Sequence, residues 1–210
     1  MGIFRTLATV LGTTALATLL TACDPDRVGE WLAEGVDPGA PAQQAAAAEE
    51  DGLTLMREEE KLARDLYQVN FERYGTQVFG NITASEQRHM DAVLGLLQAR
   101  GLDDPAAGQP RGVFTAAAVQ DLYDALDAQS AGSVDDALRV GAEVEEIDIL
   151  DLQRLMDETD AADLLDVYGS LLDGSYNHLR AFVRQLDRRG VVYQPRHLDA
   201  ATFAAILADR

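Results

Sequence analysis

The sequence predicts an all-α protein: a four-helix bundle with a long crossover between its second and third long helices and a short helix at the C-terminus. Apolar residues recur at helical spacing through nearly all of residues 49–210, and the alternation typical of strands is nearly absent. The four longest periodic segments form two pairs, separated by a stretch rich in glycine and proline. About 160 residues are enough for one domain with a substantial hydrophobic core.

Six segments have helical periodicity. They cover residues 52–74, 79–100, 116–128, 133–157, 161–189 and 199–207. Only a few residues separate the first two, so we expect an antiparallel pair. Ser133 precedes two aspartates and is the predicted N-cap of the fourth segment. Gly169 and Gly174 predict a local irregularity in the fifth.

The N-terminal segment has the order of a secretory signal. Arg5 is the only charged side chain before Asp24, and an apolar run over residues 7–20 follows it. That run is shorter than the roughly 20 apolar residues of a spanning helix. It ends in Leu20-Thr21-Ala22-Cys23, which resembles the lipobox of bacterial lipoproteins. The resemblance implies cleavage before Cys23 and a lipid on its sulfur; an ordinary signal peptide with a free thiol at Cys23 is the alternative.

This interpretation divides the chain into three parts. Residues 1–22 are the predicted lipoprotein signal peptide, residues 23–48 a lipidated flexible tether rich in alanine, glycine and proline, and residues 49–210 the folded domain. We expect the domain on the periplasmic, extracytoplasmic face of the cell envelope, held to a membrane through the lipid on Cys23. A single cysteine excludes a disulfide within the chain.

The charge of the chain limits its partners. The formal net charge is -19 at pH 7, and cleavage after residue 22 would remove one arginine and bring it to about -20. Such a surface repels nucleic acid and anionic lipid headgroups. We therefore expect no nucleic-acid binding, whereas metal ions are attracted.

Polar side chains fall on the predicted apolar faces of all four long helices, where a lone charge is costly to bury. The first helix carries Glu59 and Glu60 there. In the second, Glu86-Gln-Arg-His89 puts a carboxylate and an imidazole three residues apart on one face, close enough to share an ion. The other two long helices add Glu145, Asp148 and His178.

Four motifs, in this order, resemble the bacterial and archaeal family DUF2202, which is assigned to the ferritin-like superfamily. They are Glu58-Glu-Glu-Lys-Leu-Ala-Arg-Asp-Leu-Tyr67, Ser85-Glu-Gln-Arg-His-Met-Asp-Ala-Val93, Val140-Gly-Ala-Glu-Val-Glu-Glu-Ile-Asp-Ile149 and Gly174-Ser-Tyr-Asn-His-Leu-Arg-Ala-Phe182. The resemblance covers about residues 50–190. Four motifs in the right order are far more specific than any one of them.

The resemblance implies a ferritin-like bundle that holds a pair of iron or manganese ions bridged by carboxylates. By position, Glu60 and His89 would serve one ion, Glu86 would bridge, and His178 with Glu145 or Asp148 would serve the other. Further candidates are the alternative ligands Glu59 and Glu146, and Tyr67 beside the ligands.

One position departs from the family pattern. The last long helix has Ser175 where a Glu-x-x-His motif would have glutamate, so a bridging carboxylate is missing there. Glu145 and Asp148 could supply the charge; a single ion and an empty site are the other two outcomes.

The implied activity is that of a metal-dependent oxidoreductase, an oxidase or a peroxide-scavenging centre. The chain has no Cys-x-x-Cys element for a second iron site, so electrons would come from a donor that the sequence does not identify. Ferritin-like bundles often dimerise, which makes a homodimer a further expectation.

The alternative is a non-catalytic interaction module of the cell envelope. In that case the buried carboxylates would be neutralised by a salt-bridge network with Arg64, Arg88 and Arg180 instead of a metal. His197 lies outside the motifs and is predicted to be at the surface.

Overall fold

The computed structural model describes residues 40–209, with side chains from residue 43, and in this part of the chain all regular secondary structure is α-helix, without strands. Its helices are α1 (Ala40–Tyr74), α2 (Gln77–Arg100), α3 (Ala117–Ser130), α4 (Val134–Asp157), α5 (Ala162–Arg188) and α6 (Ala200–Ala208). The predicted all-α helical bundle is confirmed, with its long crossover and short C-terminal helix. The predicted signal peptide, Cys23 and residues 23–39 of the predicted tether lie outside the described residues.

Most helix ends follow the predicted chemistry. Gly75 and Gly101 follow α1 and α2 with φ of 64° and 68°, a conformation that glycine adopts without a steric penalty. Ser133 caps α4 as predicted, accepting a hydrogen bond from the amide of Asp136 at 3.1 Å. In contrast, α1 begins at Ala40 rather than at residue 52. Its first turns are exposed and alanine-rich, so they are helical without the apolar stripe by which a helix is recognised.

The core consists of two apolar clusters with a polar layer between them. We call one the Phe182 cluster, because it surrounds Phe182 and includes Leu66, Phe79 and Ile149. The other is the Leu97 cluster, with Leu53, Met56, Val93, Leu97, Leu152, Leu155, Leu164, Tyr168 and Leu171. Along α1, α2 and α5, the predicted ligands Glu59, Glu60, Glu86, His89 and His178 lie between residues of the two clusters, and Glu145 and Asp148 of α4 face α5 at the same level.

The two clusters also give the directions of the helices. Along α1 and α5 the chain passes from the Leu97 cluster to the Phe182 cluster, and along α2 and α4 it passes in the reverse direction. Helices α2 and α4 are therefore parallel. Consequently the chain has to return along the bundle between them, and residues 101–133, including α3, make that crossover.

Charged residues on the outer face of α1 hold the crossover in place. Arg57 forms a bidentate pair with Asp104, with both N–O distances 2.9 Å, and donates to the carbonyl of Met90 at 2.7 Å. The carboxylate of Glu58 accepts hydrogen bonds from the amides of Thr115 and Ala116. Since α3 has no side-chain cap of its own, Glu58 provides that cap from another helix.

Lys61, the single lysine of the chain, is buried against the same crossover. Its ammonium donates to Asp65 at 2.6 Å and to the carbonyls of Pro110 and Val113 at 2.8 and 3.1 Å. It also lies 4.4 Å from the ring centre of Phe114. All three of its protons are thus used, which makes burial of this charge tolerable. None of the helices in the described residues has both the length and the apolar character needed to cross a membrane.

Candidate metal centre

Three ligand side chains from α2 and α5 converge in the polar layer. Nδ1 of His89 lies 2.8 Å from one carboxylate oxygen of Glu86, and Nδ1 of His178 lies 2.9 Å from the other. The two imidazole rings are stacked, with centroids 5.5 Å apart and planes inclined by 25°. One ligand atom from each of the three residues lies within 4.8 Å of the others. Glu86 therefore occupies the position between two imidazoles that a bridging carboxylate needs.

A second carboxylate faces each histidine from the other side. Glu60 on α1 has an oxygen 3.2 Å from Nδ1 of His89, and Glu145 on α4 has one 3.4 Å from Nδ1 of His178. The structure thus groups the predicted ligands in two halves, Glu60 with His89 and Glu145 with His178, and Glu86 lies between the halves. All four long helices contribute to the cluster.

Asp148 and Ser175 complete the layer. The hydroxyl of Ser175 donates a short hydrogen bond to Oδ2 of Asp148 and also lies 3.0 Å from the carbonyl of Leu171. Burial, with Glu145 next in effect, raises the pKa of Asp148 to about 7. Helix α5 has Ser175 where the family pattern has a carboxylate. The carboxylate of Asp148 on α4 lies at this position instead and accepts the hydrogen bond of Ser175.

Tyr67 orients one of the carboxylates. Its phenol donates to Oε1 of Glu145 at 2.6 Å, so the other oxygen of Glu145 is the one that faces His178. The tyrosine is fully buried, and its ring lies 5.1 Å from that of Phe182. Burial raises its pKa well above the usual value, and the charge of Glu145 adds to this, so the phenol remains a donor.

Gly174 allows His89 to pack directly against the backbone of α5. A Cβ at this position would lie 2.5 Å from Cε1 of His89 and 2.6 Å from its Nε2. The Nε2 edge of the ring therefore faces α5, while Nδ1 faces the carboxylates. The helix is continuous through Gly169 and Gly174, so the predicted irregularity is wrong. The glycine at 174 serves a close approach between helices instead.

The cluster contains more carboxylates than cations. Burial would lower the pKa of His89 and His178, but the neighbouring carboxylates outweigh it and raise them to about 10 and about 11. Burial would raise the pKa of Glu86, yet the two imidazoles, His178 foremost, lower it to about 2. Burial raises the pKa of both Glu60 and Glu145. These shifts favour the protonated forms of the histidines and of Glu60 and Glu145 in the metal-free cluster.

Within the described part of the chain, several buried ligand atoms in the layer have no hydrogen-bond partner. They are Oε1 of Glu60, Oε1 of Glu86 and Nδ1 of His178. The contact between the last two is close, but it lacks the angle of a hydrogen bond. Buried polar atoms in native proteins are nearly always paired. Carboxylate oxygens and an imidazole nitrogen left unpaired in one place fit a bound divalent cation.

Comparison with known proteins identifies the family. DUF2202, described as an uncharacterized protein domain, matches residues 49–210. The chain belongs to this family. The uncharacterized protein MJ0754 of Methanocaldococcus jannaschii is 42% identical over 168 residues, which is 80% of this chain and 91% of the relative. A crystal structure of hypothetical protein MJ0754 from Methanococcus jannaschii DSM 2661 superposes with a TM-score of 0.75 at 42% identity and covers 77% of this chain and 92% of that one.

The arginines predicted to neutralise the cluster pair elsewhere in this DUF2202 domain. Arg64 binds Asp65 and Gln87, Arg88 binds Ser85, and Arg180 binds Asn177 and the carbonyl of Ile206. In the part of the chain that the structure describes, no arginine or lysine pairs with Glu60, Glu86, Glu145 or Asp148. The predicted salt-bridge network through these three arginines is therefore not formed.

The two alternative ligands have different surroundings. Glu146 lies on another face of α4, where it accepts hydrogen bonds from the Tyr193 hydroxyl at 2.7 Å and from the amides of Arg196, His197 and Leu198. It fixes the segment before α6 and does not join the cluster. Glu59 is buried beside Asp148 and Asp151 of α4, and burial, followed by the charges of these two aspartates, raises its pKa well above the usual value.

The remaining histidine occupies the position that the sequence predicts. The side chain of His197 is one third exposed and contacts Glu143 at 3.3 Å. Gly174 is the site residue whose role the sequence did not predict. An isolated glycine within a helical pattern signals a close packing contact in principle, but it does not say which side chain fills the space.

The DUF2202 domain offers two glycines in one helix for a test of the contact with His89. Ala stabilises a helix interior by roughly 1 kcal/mol relative to Gly. Gly169→Ala should show most of this gain, because the nearest foreign atom to its Cβ is 3.9 Å away. Gly174→Ala should lose the gain and destabilise the metal-free domain, since the new methyl group overlaps His89. Chemical denaturation in the presence of a chelator measures both; equal stabilisation by the two substitutions would contradict the contact.

Proposed function

We propose that this DUF2202 domain is a ferritin-like metal-binding protein whose centre holds a pair of iron or manganese ions. The observation that carries the proposal is the carboxylate of Glu86 between His89 and His178, together with buried ligand atoms that have no hydrogen-bond partner among the described residues. The directions of the long helices, α1 and α5 one way and α2 and α4 the other, support the ferritin-like comparison.

The proposed ligands follow the two halves of the cluster. Glu60 and His89 would hold one ion, Glu145 and His178 the other, and Glu86 would bind both; Asp148 adds a carboxylate beside Glu145. Carboxylates are hard donors that neutralise divalent ions, and imidazole adds a neutral donor to each, a mixture that suits iron and manganese. When bound, such ions supply redox chemistry toward dioxygen or peroxide.

The protein would position the metal ligands and limit the access of water to them. Tyr67 fixes the orientation of Glu145, Gly174 sets the depth of His89, and the Phe182 and Leu97 clusters close the layer on both sides. We propose an oxidase or a peroxide-scavenging activity, with electrons from a separate donor. Positioned donors in a water-poor layer favour such chemistry because they need no rearrangement when charge moves.

Metal content tests the proposal directly. Protein purified without chelators should contain two iron or manganese atoms per domain by elemental analysis. His89→Ala and His178→Ala should each lose at least about tenfold in metal affinity, since each removes a ligand. His197→Ala is the matched control, because this third histidine lies at the surface. One atom per domain would show that the missing α5 carboxylate limits the site; none after anaerobic ferrous reconstitution would favour the interaction module.

Proton release gives a second test. With pKa values raised to about 10 and about 11, both histidines carry a proton at pH 7 in the metal-free domain. A histidine ligand has to be neutral, so binding at pH 7 should release about one proton from each, and metal affinity should rise with pH up to about 11. Calorimetry in two buffers of different ionisation enthalpy counts these protons. Binding without proton release would contradict the assignment of the imidazoles as ligands.

We also propose that the domain is tethered to the outer face of a membrane through lipid on Cys23. Cells grown with labelled palmitate should yield a labelled protein in the membrane fraction, while Cys23→Ser should abolish the label and remain at the larger precursor size. The neighbouring substitution Asp24→Asn should keep the label. An unlabelled wild-type protein found in the soluble fraction would instead indicate an ordinary signal peptide.

A further inference from the structure

Glu59 is a buried carboxylate next to the proposed metal centre, but it is not one of the proposed ligands. Its side chain is 8% exposed, and Oε2 has no hydrogen-bond partner within the described part of the chain. It precedes Glu60 in α1, so a step of about 100° around the helix turns it from the histidines toward α4. A buried, unpaired carboxylate is expensive, and its retention calls for an explanation.

The groups that face Glu59 are other carboxylates. Asp148 and Asp151 lie three residues apart in α4, on one face of that helix. Gly52 of α1 packs against Leu155 of α4, and the Tyr67 hydroxyl reaches the carbonyl of Gly141, so the antiparallel register of the two helices sets Glu59 opposite these aspartates. Asp148 belongs to the polar layer, whereas the side chain of Asp151 is 19% exposed. A line of carboxylates thus leads from the surface at Asp151 past Glu59 to Asp148 and Glu60.

Arg154 covers the outer end of this line. Its guanidinium contacts Asp151 at 3.1 Å and the exposed Glu158 at 3.0 Å, and its side chain is 44% exposed. Exposed pairs of this kind contribute little free energy, so a divalent cation can displace the guanidinium from Asp151. Within the described residues no salt bridge joins Arg154 to Glu59 itself.

The line is not arranged as a resident metal site. In the described residues, three ligand atoms converge within 4.8 Å at Glu86, His89 and His178, and Glu59, Asp148 and Asp151 do not form such a group. It also lacks an imidazole. Carboxylates that do not converge bind a cation weakly, which permits release to a tighter site nearby.

We propose that Glu59 is a transfer ligand that receives divalent cations at Asp151 and passes them to the centre through Asp148 and Glu60. This inference rests on the proposed metal centre. On this proposal, the unpaired Oε2 of Glu59 binds a divalent cation while the centre is being loaded. The negative charge of the whole chain would concentrate cations at the entrance.

The experiment follows the loading of metal-free domain with Co²⁺ by stopped-flow absorbance. Glu59→Gln keeps the size of the side chain and removes its charge, and it should slow loading at least about tenfold. The final cobalt stoichiometry and the equilibrium affinity should stay within about twofold of wild type, because the resident ligands are unchanged. Glu158→Gln makes the same change of charge on the exposed partner of Arg154 and should load within about twofold of the wild-type rate.

A second variant tests whether slow loading of Glu59→Gln reflects the proposed route or only a local disturbance of packing around this buried side chain. Asp151→Asn alters a partly exposed side chain and should also slow loading without loss of stoichiometry. Loading of Glu59→Gln at the rate of Glu158→Gln would overturn the inference, and so would the loss of one cobalt per domain, which would make Glu59 a resident ligand. Both results leave the proposed function intact, whereas a wild-type domain that binds no cobalt would overturn both.

Discussion

The central constraint on this structure is that four carboxylates and two imidazoles share a layer from which water is largely excluded. Glu60, Glu86 and Glu145 are each only 2% exposed, and apolar clusters flank them on two sides. Desolvated charges of one sign are tolerated only with compensation at short range. Within residues 43–209, no salt bridge to arginine or lysine supplies it. Burial instead raises the pKa of the carboxyls of Glu60, Glu145 and Asp148, which favours binding of a proton or a cation in the layer.

Helix α1 shows how one short stretch can serve several parts of the fold. Glu58, Glu59, Glu60 and Lys61 are consecutive, charged and buried. Successive residues turn by about 100°, so each side chain meets a different neighbour. Glu58 caps α3, Glu59 faces α4, Glu60 faces His89, and Lys61 holds the crossover. The same short stretch of α1 therefore contacts both the metal-centre residue His89 and the crossover, residues 101–133, that joins α2 to α4.

Much of the fold was predictable from the sequence because its signals are local. Helical periodicity, the glycines after α1 and α2 and the cap at Ser133 act within a few residues, and the Glu86-His89 register follows from helix geometry alone. The start of α1 at Ala40 was missed, because an exposed helix has no apolar stripe. Helical periodicity placed Glu145 on the apolar face and left Glu146 as an alternative ligand. That Glu146 instead binds the backbone before α6 follows only from the tertiary fold. The contact of Gly174 with His89 depends on the distance between two helices, which one sequence does not encode locally.

Ser175 is the clearest case in which the structure changes the meaning of a sequence difference. Alone, a serine in place of a carboxylate suggests a weakened centre. The hydroxyl, however, has a single proton and lies beside two acceptors, Asp148 and the carbonyl of Leu171. It can donate to an ionised Asp148, or it can donate to Leu171 while a protonated Asp148 donates to it, so both states of the aspartate are satisfied. With Asp148 ionised and both imidazoles neutral, the four carboxylates of the layer carry a negative charge that balances the positive charge of two divalent ions. The carboxylate missing at Ser175 on α5 is therefore compensated by Asp148 on α4, and the layer retains the negative charge that a pair of divalent ions requires.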